Sequence, residues 1–471
     1  MTNTLRLDDN PALVQACATG NPVIPVYILD EETEGTRTIG GARRWWLREA
    51  LTDLSNRLDG LGSLLIVRKG RQLETVADLI EVTNATAVYL TRGYEPWTRQ
   101  AEADLYDWCQ AKNIECRRFG GNLLLEPEQI QTKTGKPYQV FTPFWRAARQ
   151  YISGEALEAP ERILAPKKWP ASVPREGLDL APKPASWADH FPEVWDATEA
   201  GAHDRLEAFI DSGAGDYVVA RDKPGVDGTS RLSPYLAHGQ ISARRIFQRS
   251  MAALAQRPDE QAGIDCFVKE VGWREFSAHL LFHFPHMPKT PLKAQFEKFP
   301  WQEGNSDILS AWQQGLTGFP IVDAGMRQLW KTGWMHNRVR MIVASFLVKD
   351  MLWHWRDGEA WFWDTLVDAD PASNSASWQW VAGCGADAAP YFRIFNPILQ
   401  GEKFDKAGDY IREFVPELSK LPNSHIHKPF EAPPLMLREA GIVLGEDYPV
   451  PILDRAKARA RALAALKATK D

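Results

Sequence analysis

The sequence has few cysteines, no long apolar run and no excess of positive charge. Its five cysteines are scattered without a CxxC pair, which argues against a disulfide framework and against an iron–sulfur cluster. No stretch approaches the roughly 18 consecutive apolar residues that a membrane-spanning helix needs. The first ten residues contain neither a basic region nor an apolar core, so we expect no secretory signal and a cytoplasmic location.

The net charge of −6 excludes a globally basic surface, so any contact with nucleic acid must use a local cluster of cations. What the sequence has in excess is tryptophan. Of its 19 tryptophans, eleven lie between residues 267 and 396. Most single tryptophans are core residues, but this density also favours a flat aromatic ligand, stacked bases or electron transfer.

The hydrophobic pattern divides the 471 residues into three parts. Over residues 1–125, short β-rich runs alternate with helical periods, which predicts an α/β domain with a Rossmann-like parallel sheet. Residues 126–200 are rich in Pro, Lys and Trp with little periodicity, and we expect a long interdomain linker. Residues 201–471 consist of long amphipathic segments and predict an all-α domain.

The predicted strands are Val23–Leu29, Leu64–Val67, Ala87–Thr91 and Ile114–Arg117, with helices at Gly41–Leu58, Gln72–Val82 and Trp97–Lys112. The predicted C-terminal helices are Ala202–Ser212, Ser242–Gln256, Asp259–His283, Asp307–Gly315, Ile321–Thr332, Asn337–Trp353, Gly358–Leu366 and Lys406–Val415, followed by a solvated helix after Asp454.

A cluster of hydroxyl residues, Thr229–Ser233, precedes a predicted helix that runs to Gly239. Hydroxyls and free backbone N–H groups at a helix start can hold a phosphate, although simple helix capping explains the same pattern.

Two helical segments place polar and aromatic side chains on one face. Glu270 and Trp273 are three residues apart, which presents a carboxylate beside an indole, or a surface acid beside a core residue. Asn337 and Met341 are four apart and also share a face. Arg338 points elsewhere, towards a phosphate, and Arg340 is a candidate for an anion inside the protein.

The stretch from Asp368 to Trp380 contains two acids, an amide and two tryptophans, and its pattern indicates a non-helical segment. Acids and amides at this spacing can bind a metal, but no further oxygen-rich loop supports one. We also interpret His279, His283 and His286 as core residues, so no metal is expected. The loop-like stretch Asp387–Ile398 suits either a ligand rim or a structural elbow.

Together these motifs resemble the photolyase/cryptochrome family, and most closely the bacterial class I cyclobutane pyrimidine dimer photolyases. The similarity runs from Leu5 to the helical tail and rests on several ordered motifs. They are Thr229–Ser233, Trp273–Phe276, Gly318–Ala324, Met335–Met341, Trp378–Trp380 and Asp387–Pro397.

The resemblance implies a carbon–carbon lyase that repairs pyrimidine dimers in damaged DNA with light. It implies an α/β antenna domain, a helical domain holding one FAD per monomer, and an association with the bacterial nucleoid. The reduced FAD anion would donate an electron to a flipped-out dimer, whose ring then opens before the electron returns. The three rival functions are a cryptochrome-type photoreceptor, a (6-4) photolyase and a catalytically inactive DNA-binding flavoprotein. The (6-4) group typically has histidines where this chain has Asn337 and Met341.

The resemblance also assigns residues. The cofactor-binding residues would be Tyr217, Thr229, Ser230, Arg231, Leu232, Ser233, Phe267, Glu270, Trp273, Arg274, Asn337, Arg340, Asp368, Ala369, Asp370 and Asn374. The substrate residues would be Arg221, Glu270, Trp273, Asn337, Arg338, Met341, Trp380 and Arg393. Among these, Glu270 and Asn374 would be catalytic, with Asn374 facing the flavin N5. Trp301, Trp355 and Trp378 would carry electrons from the surface to the flavin.

The chain departs from the family at its start. Where the family has an apolar strand and an Arg-rich turn, this sequence supplies only Met1–Thr4, so we expect a shortened sheet. Glu95 resembles an acid that contacts a methenyltetrahydrofolate antenna. A deazaflavin, no antenna, or helix capping by Glu95 and Thr98 are the alternatives.

Overall fold

The computed structural model describes residues 3–302, 306–387 and 392–469. The four predicted strands are present and run parallel, but they form two separate two-stranded sheets in the described chain. In the first sheet Val26 is opposite Ile66, and in the second Ala87 is opposite Glu115. The strands are β1 (Val26–Leu29), β2 (Ile66–Lys69), β3 (Ala87–Thr91) and β4 (Glu115–Phe119). The N-terminal helices are α1 (Pro11–Ala18), α2 (Gly41–Gly60), α3 (Gln72–Thr83) and α4 (Pro96–Ala111).

A cavity of about 1380 Å³ separates the two sheets. All four residues of β1 and all five of β3 line it, whereas β2 and β4 contribute one residue each. Each sheet therefore turns one of its outer strands towards the same space. The predicted single parallel sheet is divided at this cavity.

Arg6 ties the start of the chain to both halves of the molecule. Its side chain is fully buried and donates to the backbone oxygens of Asp9 (2.9 Å), Gly121 (2.7 Å) and Gly239 (3.0 Å). Glu199 accepts the backbone N–H groups of Leu7 and Asp8 at 2.8 and 2.9 Å. These contacts satisfy buried polar groups that would otherwise be costly.

The segment 126–200 is not an irregular linker throughout, as its composition suggests. It contains α5 (Phe141–Ala148) and the short α6 (Phe191–Val194). In α5 the buried residues Phe141, Phe144, Trp145 and Ala148 are spaced i, i+3, i+4 and i+7, which is the signature of an amphipathic helix. Helix α5 is absent from the predicted elements because the composition of the segment hid that periodicity, and the interdomain role of residues 126–200 stays a prediction.

The C-terminal half is helical, as predicted. Its helices are α7 (Glu199–Ser212), α8 (Tyr217–Ala220), α9 (Ser233–His238), α10 (Ala243–Gln256), α11 (Gln261–His283), α12 (Ser306–Gln314), α13 (Pro320–Thr332), α14 (Asn337–Ser345), α15 (Trp355–Thr365), α16 (Pro371–Ala382), α17 (Pro397–Phe404), α18 (Asp409–Phe414), α19 (Pro434–Ala440) and α20 (Arg455–Ala468). A π-helix, Phe346–Asp350, follows α14 directly. Within the described residues, no helix combines the length and the apolar character that crossing a membrane requires.

Two sequence predictions in this half are wrong. The predicted non-helical stretch from Asp368 contains α16, which starts with Asp370 capping the N–H of Ser373 at 2.6 Å and with Pro371 in the first turn. The predicted single helix 337–353 ends early, because the chain turns into the π-helix and then reaches Leu352 at φ +58°.

Candidate active site

Asp368 contacts both segments that the sequence predicts to bind an anion, which are Thr229–Ser233 and the start of α14 with Arg340. Its carboxylate accepts Ser233 Oγ at 2.6 Å and the two Nη atoms of Arg340 at 2.8 and 3.1 Å. Arg340 Nε also donates to the backbone oxygen of Met335 at 2.7 Å. The Asp368 side chain is only 3 % exposed, so the pair is largely shielded from water. The structure thus brings together the starts of α9 and α14 and the residues just before α16.

Three guanidinium groups lie around His336, the buried residue that precedes α14. Burial lowers the pKa of His336 to about 4; Asp222 opposes this, and Arg338, Arg340 and Arg231 lower the pKa further. Among the described residues, His336 Nε2 and the Nε atoms of Arg231 and Arg338 have no hydrogen-bond partner. Clustered cations with unused donors suit an anionic group such as a diphosphate.

Glu270 and Trp273 share a face of α11, as predicted. Arg221 Nη1 donates to Glu270 Oε1 at 2.5 Å and to Cys266 Sγ at 3.2 Å. Burial raises the pKa of Glu270, and Arg221 opposes that effect. Trp273 stacks on Phe141 of α5, with ring centroids 3.8 Å apart and planes 9° from parallel. This face therefore presents a carboxyl group and an indole, each fixed by its own neighbour.

Two adjacent residues of the turn after α8 link α11 to α14. Asp222, which follows Arg221 directly, accepts Arg338 Nη2 at 2.6 Å. The turn after α8 therefore contacts Glu270 with one residue and α14 with the next. On α14, Asn337 is exposed and Met341 is half-buried. Both Arg221 and Arg338 are in ion pairs, so their assignment to DNA phosphates stays a prediction.

Asn374 is buried on α16 and held by a residue that the sequence did not mark. Its Nδ2 donates to the backbone oxygen and to Oε1 of Glu359 at 3.0 and 2.7 Å. Glu359 in turn pairs with Arg37 of the N-terminal half at 2.7 Å. No motif singled out Glu359, because its partners lie 15 and 322 residues away.

Trp380 and Arg393 mark the rim predicted after α16. Trp380 Nε1 donates to the backbone oxygen of Asp387 at 3.0 Å. The Arg393 side chain is exposed, with its guanidinium 5.5 Å from the centroid of Phe395. Residues 388–391 of this predicted rim lie outside the described part of the chain.

The three tryptophans of the predicted electron chain lie on α15 or near it in space. Trp378 packs against this helix so closely that a Cβ on Gly358 would lie 2.1 Å from its ring, which requires glycine there. Trp355 lies one turn earlier on the same helix. Its ring contacts His354 (5.8 Å between centroids), and His354 contacts Trp301 at 5.1 Å. Trp378 and Trp355 are both buried and Trp301 is half-buried, and the order of the three in an electron chain stays a prediction.

The remaining predicted residues fall into two groups. Tyr217 and Phe267 pack together near α11 at 5.8 Å, and Thr229, Ser230 and Leu232 immediately precede α9. Arg274, Ala369, Asp370 and Glu95 instead line the cavity between the sheets. Arg274 donates to the backbone oxygen of Asn122 at 2.8 Å. Over the described ranges, no group of three or more His, Cys, Asp or Glu side chains is arranged to hold a metal ion.

Comparison with known proteins matches nearly the whole chain. A family model described as DNA photolyase matches residues 1–162, and one described as the FAD binding domain of DNA photolyase matches residues 267–468. The deoxyribodipyrimidine photo-lyase of Agrobacterium fabrum is 49 % identical, covering 99 % of this chain and 96 % of that protein. Cryptochrome-2 of Arabidopsis thaliana is 37 % identical, covering 99 % and 78 %. The crystal structure of a bacterial class III photolyase from Agrobacterium tumefaciens superimposes with a TM-score of 0.95 at 48 % identity, covering 100 % and 96 %.

Proposed function

Because the chain belongs to the photolyase/cryptochrome family, we propose that it repairs cyclobutane pyrimidine dimers in DNA in a light-driven reaction. The observation that carries this proposal is the carboxyl group of Glu270, held by Arg221 beside the fixed indole of Trp273. Helix α14, with Asn337 and Met341, is tied to the same place through Asp222. This combination suits a compact, uncharged and partly apolar substrate.

The subgroup within the family is part of the proposal. The motifs resemble those of class I enzymes, whereas a solved relative at 48 % identity over the whole chain is titled a class III photolyase. We propose class III as the nearer group, because that likeness extends over the complete fold. The substrate assignment, a cyclobutane dimer, is the same in either case.

FAD is the cofactor that we propose for the cationic cluster. Asp368 would fix Arg340 and Ser233 beside it, and the unused donors of Arg231 and His336 suit its diphosphate. Reduced FAD, when bound, supplies the light-excited electron. Asn374, immobilised by Glu359, is proposed to face the flavin ring. Glu95 remains the proposed contact of an antenna, either methenyltetrahydrofolate or a deazaflavin.

The protein's own contribution is to bind and orient the dimer. A dimer flipped out of the duplex would lie between Trp273 and Trp380, where stacking on indoles contributes about 1–3 kcal/mol per base. We propose that Glu270, whose pKa is raised by burial and lowered by Arg221, faces a dimer carbonyl and hydrogen-bonds to it in its protonated form as negative charge develops there. Arg221, Arg338 and Arg393 are proposed to hold the flanking phosphates.

One assay tests the substrate assignment. Reduced protein is illuminated with oligonucleotides that contain either cyclobutane dimers or (6-4) products, and repair of each is scored. We expect loss of cyclobutane dimers alone. Repair of (6-4) products alone would favour the (6-4) enzyme, and binding without repair would indicate an inactive DNA-binding flavoprotein. Neither binding nor repair would favour a cryptochrome-type photoreceptor, which the Arabidopsis relative represents.

The role of Glu270 has its own test. Glu270→Ala removes the proposed hydrogen bond to the dimer, so repair yield should fall while flavin content changes little. Glu270→Gln keeps a donor and should retain more repair than the alanine variant. Equal repair by the parent and Glu270→Ala would contradict the role.

The electron chain is tested separately from repair. Trp378→Phe should slow photoreduction of oxidised FAD and leave repair by pre-reduced protein largely intact. Trp353→Phe is the matched control, since Trp353 is also buried and its Nε1 has no partner among the described residues. Equal photoreduction in Trp378→Phe and in the parent would contradict this route.

A further inference from the structure

The π-helix after α14 buries a lysine and an aspartate side by side. Lys349 is 3 % exposed and Asp350 is fully buried. Charged side chains rarely occupy such positions unless they are paired, and π-helical turns are frequent at functional sites. Neither residue has a part in the reaction described above.

Lys349 and its neighbour Ser345 hold the segment that carries Arg393. The Lys349 Nζ donates to the backbone oxygen of Arg393 at 2.5 Å and lies 4.4 Å from the ring centroid of Phe392. Ser345 Oγ accepts the backbone N–H of Phe395 at 3.2 Å. The backbone of residues 392–395 is therefore fixed at two points from one side.

Helix α20 is hydrogen-bonded to the same segment through Arg455. Arg455 Nη1 donates both to Asp350 Oδ1 at 2.6 Å and to the backbone oxygen of Phe395 at 3.0 Å. Arg461 donates to the backbone oxygen of Asp350 at 2.8 Å. Three backbone groups of the segment are held in this way, while the Arg393 side chain stays exposed.

We propose that Lys349 and Arg455 are positioning residues that hold residues 392–395 so that Arg393 presents its guanidinium to a DNA phosphate. This inference rests on the proposed function. A tethered backbone with a projecting side chain lowers the conformational cost of binding, because fewer groups are ordered when the ligand arrives. The cation that touches DNA and the cations that fix its backbone are thus different residues.

The charge on Lys349 makes the tether sensitive to pH. Burial lowers the pKa of Lys349 to about 7, with Asp350 opposing, Cys384 opposing more weakly, and Arg393 adding to the decrease. Burial raises the pKa of Asp350 to about 6, and Arg455, Lys349 and Arg461 oppose that rise, while Lys293 acts on Cys384. The ammonium is therefore present below about pH 7 and is lost above it. A charge-assisted hydrogen bond becomes a neutral one, which is weaker.

The experiment measures the affinity of the FAD-loaded full chain for a duplex with one cyclobutane dimer, by fluorescence anisotropy at pH 6 and pH 8. At pH 6 we expect Lys349→Met to weaken binding about three- to tenfold, a loss of less than one and a half kcal/mol, roughly. The parent should weaken from pH 6 to pH 8 by more than Lys349→Met does. Lys183→Met, which removes an exposed charge from the segment 126–200, should bind as the parent does.

A double substitution separates positioning from direct contact. Arg393→Ala should weaken binding and reduce the salt dependence by about one phosphate contact. Adding Lys349→Met to Arg393→Ala should then cause no further loss, because both act through the same guanidinium. Arg455→Gln, which loses the contact to Phe395, should reproduce the effect of Lys349→Met and serves as the second variant if the methionine protein does not fold.

The other outcomes refute either the positioning role or the proposed function. Parent-like affinity of both Lys349→Met and Arg455→Gln, or additive losses in the double variant, would refute the positioning role. Parent-like affinity of Arg393→Ala, with dimer repair intact, would also refute it and would leave the proposed function standing. Absence of dimer repair by the parent would instead refute the proposed function.

Discussion

The two halves of the molecule differ in how closely their elements are packed. In the helical half, buried charges are cross-linked: Asp368 joins Ser233 and Arg340, and Asp323 accepts Thr317 and Tyr448. In the N-terminal half, two short sheets border a cavity of about 1380 Å³. A site that must hold its groups in fixed positions needs the first arrangement. The predicted repair residues Glu270, Trp273 and Asn374 lie on helices of the helical half.

The largest expected change in the free energy of unfolding comes from removing Asp323, which cross-links segments of the helical half. Asp323 is fully buried and accepts Thr317 N–H and Oγ, Gly318 N–H and Tyr448 OH at 2.6–3.0 Å. Asp323→Ala leaves these donors without partners and should lower the free energy of unfolding by about 3–5 kcal/mol, measured by urea denaturation. Asp323→Asn keeps part of the acceptor set and should cost less. If Asp323→Ala lowered the free energy of unfolding by less than about 1 kcal/mol, the cross-links in the helical half would not be important for stability.

A pair of leucines compares the packing of the two halves directly. Leu347 is fully buried in the helical core, whereas Leu79 lines the cavity. Leu347→Ala should lower the free energy of unfolding by about 3 kcal/mol, because it opens a void in close-packed surroundings. Leu79→Ala should cost about 1 kcal/mol, since fewer contacts are lost beside existing empty space. Equal losses in the two variants would show that the halves are packed alike.

The smallest expected effect concerns a buried acid in the N-terminal half. Burial raises the pKa of Glu102 from 4.5 to about 7, against the opposing effects of the Gly93 N–H and Arg118. Its contribution to stability is therefore fully present below pH 4.5 and is lost as the pH rises through about 7. Glu102→Gln cannot ionise, so relative to the parent it should gain about 1–2 kcal/mol in unfolding free energy between pH 5 and pH 8. Urea denaturation at both pH values measures this change, and a pH-independent difference would contradict it.

Local pattern was sufficient for most elements and for the motifs. Period and propensity placed the four strands, and the spacing of Glu270 and Trp273 correctly predicted a shared helical face. The same local signals failed at α16, where small and polar residues hid a helix that starts with Asp370 and Pro371. They also failed at α5, whose apolar period was present but was outweighed by the surrounding prolines and lysines.

Residues that act through distant partners could not be found from the sequence. Glu359 matters because it holds Asn374 and pairs with Arg37, and Lys349 because it meets Arg393, 44 residues away. His354 lies between Trp355 and Trp301 only because the chain folds back there. Such pairings depend on tertiary structure, which no window of sequence contains. Similarly, the division of the sheet by a cavity is a property of how strands assemble and not of any one strand.

The buried guanidinium of Arg6 has a consequence for the order of events during synthesis. Its acceptors at Gly121 and Gly239 lie 115 and 233 residues further along the chain. Contacts across such separations close large loops and form slowly. Because domains generally fold from the N-terminus as the ribosome proceeds, the contact between Arg6 and Gly239 must wait until Gly239 has emerged. Arg6 therefore reaches its native place only after the segment up to Gly239 has been made.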